Sequence, residues 1–201
     1  MSRVRDHRSR EAGFTLVELL IVIALIGLMA IIGYPALLQI LNRIKLTGIA
    51  RETAIFMQQA RMEAVKRGGR AEVNYQKAAD CSIGVPCMVA FADRDEDGAF
   101  TAGTDNLIAG PYPLPKGIRS WGPPDLAADG ANAIVGWADD GPTYLSDGSV
   151  ETAGAFRFRD AQGNFLEVRI EFRSTGKPVV QKWFGGTNWY ENGEGGNRWT
   201  W

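Results

Sequence analysis

Glu18 is the residue whose surroundings suit it least. It sits inside an apolar run spanning residues 14–41, with no Lys or Arg between Phe14 and Asn42. A carboxylate at the centre of a membrane helix costs about 2.5–3.5 kcal/mol by insertion scales. Placement lowers that cost, because Glu18 lies only about one helical turn inside the run, close to a headgroup zone. A partner cation would lower it further. The only cation such a helix can offer is an α-amine newly made by cutting the chain just before Phe14.

Three further groups could do chemistry. Asp93-Arg94-Asp95-Glu96-Asp97-Gly98 sets three carboxylates at alternate positions ahead of a glycine, with Asp105 as a later carboxylate. That spacing is like the start of an EF-hand loop and would take Ca²⁺. Thr104 stands where the loop's final Glu belongs, and the flanks read as strands, so an acidic hairpin turn is the favoured reading. Cys81 and Cys87 close a short loop containing Gly84 and Pro86. In an exported domain such a pair is expected to form a disulfide. No histidine or third cysteine is available to make it a zinc site. The third group is an aromatic tail: Trp183, Trp189, Tyr190, Trp199 and Trp201, with Arg198. It either caps a sheet or forms a binding surface. Stacking on single-stranded DNA needs clustered cations as well, and Lys182 and Arg198 are matched here by Glu191 and Glu194. DNA is therefore the less favoured ligand. His7 is the sole histidine, which excludes a Ser/His/Asp arrangement. With no P-loop and no paired catalytic carboxylates, no enzymatic activity is expected.

The elements that position these groups follow from patterning. Residues 1–13 carry Arg3, Arg5, Arg8 and Arg10 against Asp6 and Glu11. The apolar run that follows is long enough for a bilayer core of roughly 30 Å. The preceding arginines place the N-terminus in the cytoplasm and the remainder in the periplasm. After the run, Gly33-Tyr34-Pro35-Ala36 stays apolar and offers no signal-peptidase site. Leu46, Ile49, Ala50, Thr53, Ala54, Met57, Ala60 and Ala64 recur at helical spacing, which extends the helix over 42–67. Lys66-Arg67 suit its negative end and Gly68-Gly69 its cap. At 1.5 Å per residue the helix from 14 to 67 is about 80 Å long.

Residues 70–201 form one β-rich head with short strands expected at 71–75, 88–92, 106–109, 133–137, 155–159, 165–172 and 178–184. The 165–172 segment alternates apolar and charged residues, as in a strand with one buried face. The Gly/Pro/Asp-rich stretch 110–131 reads as a long loop. The expected class is α+β: a long N-terminal helix, transmembrane in its first half, packed on two small antiparallel sheets. The net charge of −1 gives no global pull toward nucleic acid or anionic lipid, although local patches can still matter.

Gly13-Phe14-Thr15-Leu16-Val17-Glu18 resembles the class III signal of type IV prepilins and pseudopilins. The resemblance implies a 1–13 leader removed by prepilin peptidase after Gly13 and N-methylation of Phe14. It also implies that Glu18 neutralises the terminal amine of an adjacent subunit. Gly33-Tyr34-Pro35 is similar to the family's proline-containing point. A proline there removes a backbone hydrogen bond and kinks or locally melts the helix, letting it pack in a filament core. Asp147-Gly148-Ser149, Gly154-Ala155-Phe156-Arg157-Phe158, the 165–172 strand and Thr175-Gly176-Lys177 resemble the head of the GspH/FimT family, while 77–145 matches nothing in detail. The implied role is a minor pseudopilin of type II secretion or a minor pilin of type IV pili. It would be anchored in the inner membrane and then join other pilins, initiating or tipping the filament. The alternative is a tip subunit whose aromatic tail grips DNA or a secretion substrate. Calcium use by related major pseudopilins is the one cofactor hint.

Overall fold

The computed structural model describes residues 14–120, 122–123, 134–137, 141–186 and 188–196. The leader, with His7 and Gly13, and the tail residues Arg198, Trp199 and Trp201 lie outside them. The architecture is the expected α+β. Among the described residues one helix, α1 (Leu16–Arg67), is followed by ten strands and a short 3₁₀ turn at Glu194–Gly196. By internal contacts the chain divides after Ile40 into two units.

The described part of the first unit, from residue 14 on, is almost all helix. Its leucines, isoleucines and valines are all exposed, and it belongs to the one helix among the described residues that is long and apolar enough to cross a membrane. The helix continues through Pro35 without a melted turn, contrary to one of the two outcomes expected there. A proline deletes a single backbone donor, and Ala36, Leu37, Leu38 and Gln39 are all good helix formers that carry the helix on.

In the second unit the rest of α1 buries Leu46, Ile49, Ala50, Thr53, Phe56, Met57, Ala60 and Ala64. This is the stripe expected from spacing, except that Ala54 is only partly buried and that Phe56 is added, whose ring meets Tyr112 edge-on at 6.4 Å. The alanines let the helix lie close to the sheets. Gly68, at φ 67°, ends it in the left-handed region, and Gly69 N–H reaches back to the Ala64 carbonyl at 3.2 Å, a Schellman closure.

The strands form two antiparallel sheets. The first has the order β3-β2-β1-β6: β3 (Asn106–Pro113), β2 (Cys87–Ala92), β1 (Ala71–Gln76), β6 (Thr143–Tyr144). The second has the order β10-β9-β8-β7-β4: β10 (Trp189–Tyr190), β9 (Pro178–Trp183), β8 (Phe165–Ile170), β7 (Gly154–Arg159), β4 (Arg119–Ser120). β5 (Ile134–Val135) also pairs with β7, beside Ala155 and Phe156, while β4 pairs beside Phe158 and Arg159. The core under α1 is Val73, Met88 and Ala90 from the first sheet and Phe156, Phe158, Leu166, Val168 and Ile170 from the second.

Three expectations are corrected. The 110–131 stretch is not one loop: β3 runs on to Pro113 and β4 follows at Arg119, while 124–131 lie outside the described residues. Prolines are tolerated in β3 because it is an edge strand. Gly110 is required there, since a Cβ would sit 2.6 Å from the Met88 carbonyl oxygen and φ is +94°. Second, β8 stops at Ile170, because the chain turns where Thr175 and Gly176 N–H groups bond the Phe172 carbonyl at 3.1 and 3.2 Å. Third, β8 is not exposed on its charged face: Glu167 is fully buried and Arg157 beside it nearly so.

Candidate functional site

The N-terminal site begins at Phe14, 85% exposed. Thr15 caps the helix. Its N–H and its hydroxyl both donate to Glu18 Oε2, at 3.0 and 3.1 Å, and its Oγ1 lies 3.2 Å from the Glu18 N–H as acceptor. This is a reciprocal capping box, with the carboxylate at the positive end of the helix dipole. The Thr15-x-x-Glu18 spacing of this box is visible in the sequence. Glu18 thus finds donors in its own first turn, while a carboxylate's two oxygens hold room for about four. A cation beside Phe14 would meet an acceptor already held in place.

In the head, Cys81 and Cys87 are joined as a disulfide with Cα atoms 6.2 Å apart. The bridge packs with Val89, Phe91 and Phe100 in a small second core. Next to it is the acidic loop. Oxygens of Asp93, Asp95 and Asp97 all lie within 4.8 Å of one another, and Asp105 stands outside that trio. Asp93 is buried and accepts from Glu96 N–H at 2.8 Å and Gly98 N–H at 3.3 Å. Asp105, also buried, accepts from Arg94 and Thr101 N–H at 2.9 and 2.7 Å. Both use their two oxygens to staple the turn, the behaviour of an acidic hairpin. Desolvation, then the charges of Asp97 and Asp105, raise the Asp95 carboxyl above its ordinary pKa. A raised acid favours the folded state below its unfolded pKa and loses that contribution as pH rises through the folded value. Asp95→Asn should therefore raise the melting temperature at pH 7 and leave it unchanged at about pH 3, below the usual carboxylate range. Asp93→Ala should lower it at pH 7, because two backbone donors lose their acceptor. Calorimetry of the three proteins checks both.

The described part of the aromatic tail folds onto the second sheet. Trp189 pairs in register with Trp183. Trp183 packs edge-on against Phe165 at 5.3 Å and donates its indole N–H to the Gly186 carbonyl at 3.0 Å. The Arg157 guanidinium lies 5.4 Å from the Trp189 ring centre. Beneath it Arg157 Nε donates to Glu167 Oε2 at 2.7 Å, and Arg169 Nε stands 3.0 Å from Glu167 Oε1. A cleft of about 510 Å³ opens here, lined by Arg157, Arg169, Glu171, Gln181, Trp189, Tyr190, Glu191 and Glu194 among others. Its two arginines already share Glu167, and three more glutamates line the wall. Among the described residues this is a poor phosphate site.

Residues 8–34 match the Prokaryotic N-terminal methylation motif. That span contains the Gly13-Phe14 junction and Glu18. The N-terminal segment is type IV prepilin-like. The Type IV major fimbrial protein FimA of Dichelobacter nodosus is 31% identical over 102 residues, 51% of this chain and 57% of that protein. The chain therefore spans little more than half the length of this curated relative. No solved structure matches it.

Proposed function

We propose that the chain is a minor pilin or pseudopilin of the GspH/FimT type, a structural subunit without catalytic activity and with no cofactor in its role. In this reading prepilin peptidase cuts between Gly13 and Phe14 and Phe14 is N-methylated. The subunit waits in the inner membrane with its head in the periplasm. It then enters a type IV pilus or a type II secretion pseudopilus through its helix. One observation carries the reading. The first half of α1 offers a fully exposed apolar surface whose single charge, Glu18, is pre-oriented next to the N-terminus the cut would create. Such a surface needs lipid first and other helices afterwards.

The test is the mass of the protein recovered from cells with and without prepilin peptidase. The expected mature chain starts at methylated Phe14 only where the peptidase is present; a chain still starting at Met1 in both strains removes the proposal. The alternative, a tip subunit whose aromatic tail binds DNA or a secretion substrate, has the polar cleft at Trp189 to offer, whose acids favour a substrate other than DNA.

A further inference from the structure

The head receives the chain at Leu41, and that end of it is basic and aromatic. Arg43 is exposed. Lys45 reaches from α1 to the loop before β4 and donates to the Lys116 carbonyl at 3.2 Å, and Lys116 is itself exposed. Lys182 projects from the α1-facing side of β9, where its register partner is the core residue Leu166. Its ammonium stands 5.1 Å from the ring centre of Phe184, which meets Tyr190 edge-on at 6.2 Å. Two apolar side chains among these cations are open to solvent: Ile44 at 60% and Phe184 at 45%. Burial, and then the charge of Arg43, lower the Lys182 pKa, as expected of crowded cations. The carboxylate near Lys182, Asp160, is buried and accepts from Gln162 and Asn164 within its own turn.

We propose that this end of the head, formed by Arg43, Lys45, Lys116 and Lys182 with Ile44 and Phe184, docks on anionic phospholipid headgroups of the bilayer that holds the helix. The inference rests on the membrane-anchored reading above. Charge and connectivity select the partner. With the apolar run ending near residue 41, residues 43 and 45 lie about 3 and 6 Å further along the helix. Both distances fall inside the Debye length of about 8 Å at physiological salt, so the lipid phosphates act on these cations with little screening. Juxtamembrane cations are drawn to anionic lipid, and apolar side chains beside them suit the interfacial layer. The overall charge of −1 supplies no such attraction, so the patch must. Docking would hold the head on the membrane until assembly lifts it off.

The full-length protein, reconstituted in phosphatidylcholine liposomes with or without about one third phosphatidylglycerol, gives the test. Flotation first reports whether the chain is in the bilayer; failure to float overturns the anchored reading and the inference with it. Hydrogen exchange then reads the backbone of 114–119 and 180–190. Slower exchange in the anionic liposomes is expected, reversed by high salt. Lys116→Glu and Lys182→Glu should each weaken it by at least about fivefold, the effect of losing one cation near an anionic surface, since each also adds a repelled anion. Lys177→Glu is the control: Lys177 follows Gly176, which packs against Gly148, the partner of Arg61, and Arg61 is about 27 Å along α1 from Arg43. Equal exchange in neutral and anionic bilayers overturns the proposal. So does an effect of Lys177→Glu as large as that of Lys182→Glu.

Discussion

Glu18→Ala should leave the protein inserted in the membrane but cut its incorporation into filaments by at least about tenfold, the factor that 1.4 kcal/mol represents. A carboxylate at the centre of an apolar layer costs more than that figure, and assembly would carry Glu18 from the headgroup zone in among apolar helices, so a paired state must offset the cost. Two roles compete for the repayment. One is the capping box with Thr15, the other a charge pair with the α-amine of a processed neighbour. Glu18→Gln separates them. Glutamine serves in a capping box but carries no charge. If pairing matters, Glu18→Gln is as defective as Glu18→Ala, measured as the filament-to-membrane ratio on immunoblots of sheared fractions. Wild-type incorporation of Glu18→Gln would assign Glu18 to helix capping and end the pairing argument. Thr15→Ala, which breaks the box but keeps the charge, should give a milder defect of up to several-fold, since a lost cap costs about 1 kcal/mol.

The parts of this fold that were legible in the sequence are those with long periodicity. α1 showed itself through apolar spacing over many turns, and its C-terminus through Lys66-Arg67-Gly68-Gly69. Six-residue strands such as β1, β2, β7 and β9 carry enough alternation or turn signals to be seen. β4, β6 and β10 have two residues each; a pair has no period, and their pairing is decided by where distant strands lie. Glu18 drew notice through its cost, whereas its hydrogen-bond partner Thr15 needed only the T-x-x-E spacing to be read. The least legible feature was the charged face of the second sheet. Arg157, Glu167 and Arg169 alternate with apolar residues and read as a solvated face. Trp189, from the aromatic tail for which sheet capping was one of the two readings, lies against Arg157, but no local pattern tells which strands it covers.

That hidden charge is where the head should be most fragile. Glu167→Ala is expected to destabilise the head by about 3–5 kcal/mol, the usual cost of breaking a buried ion pair from one side. Glu167 is fully buried, and its two oxygens face Arg157, itself only 5% exposed, and Arg169. Removing the carboxylate leaves Arg157 without its closest anion and Arg169 without its short contact. For a chain of this size each kcal/mol is worth about 2–4 °C in melting temperature, so a drop of roughly 6–20 °C is expected in a thermal melt. Arg157→Met with Glu167→Leu removes charge on both sides while keeping volume. Buried pairs replaced in this way are often neutral or stabilising, and the double variant should regain most of the loss. The same double variant strips Arg157 from the wall of the cleft without unfolding it. Loss of any tail-dependent binding in a protein of native stability would then locate that function at Trp189 and the sheet beneath it. A double variant as unstable as Glu167→Ala alone would instead show that the charges hold the sheet's outer layer in place rather than merely neutralising one another.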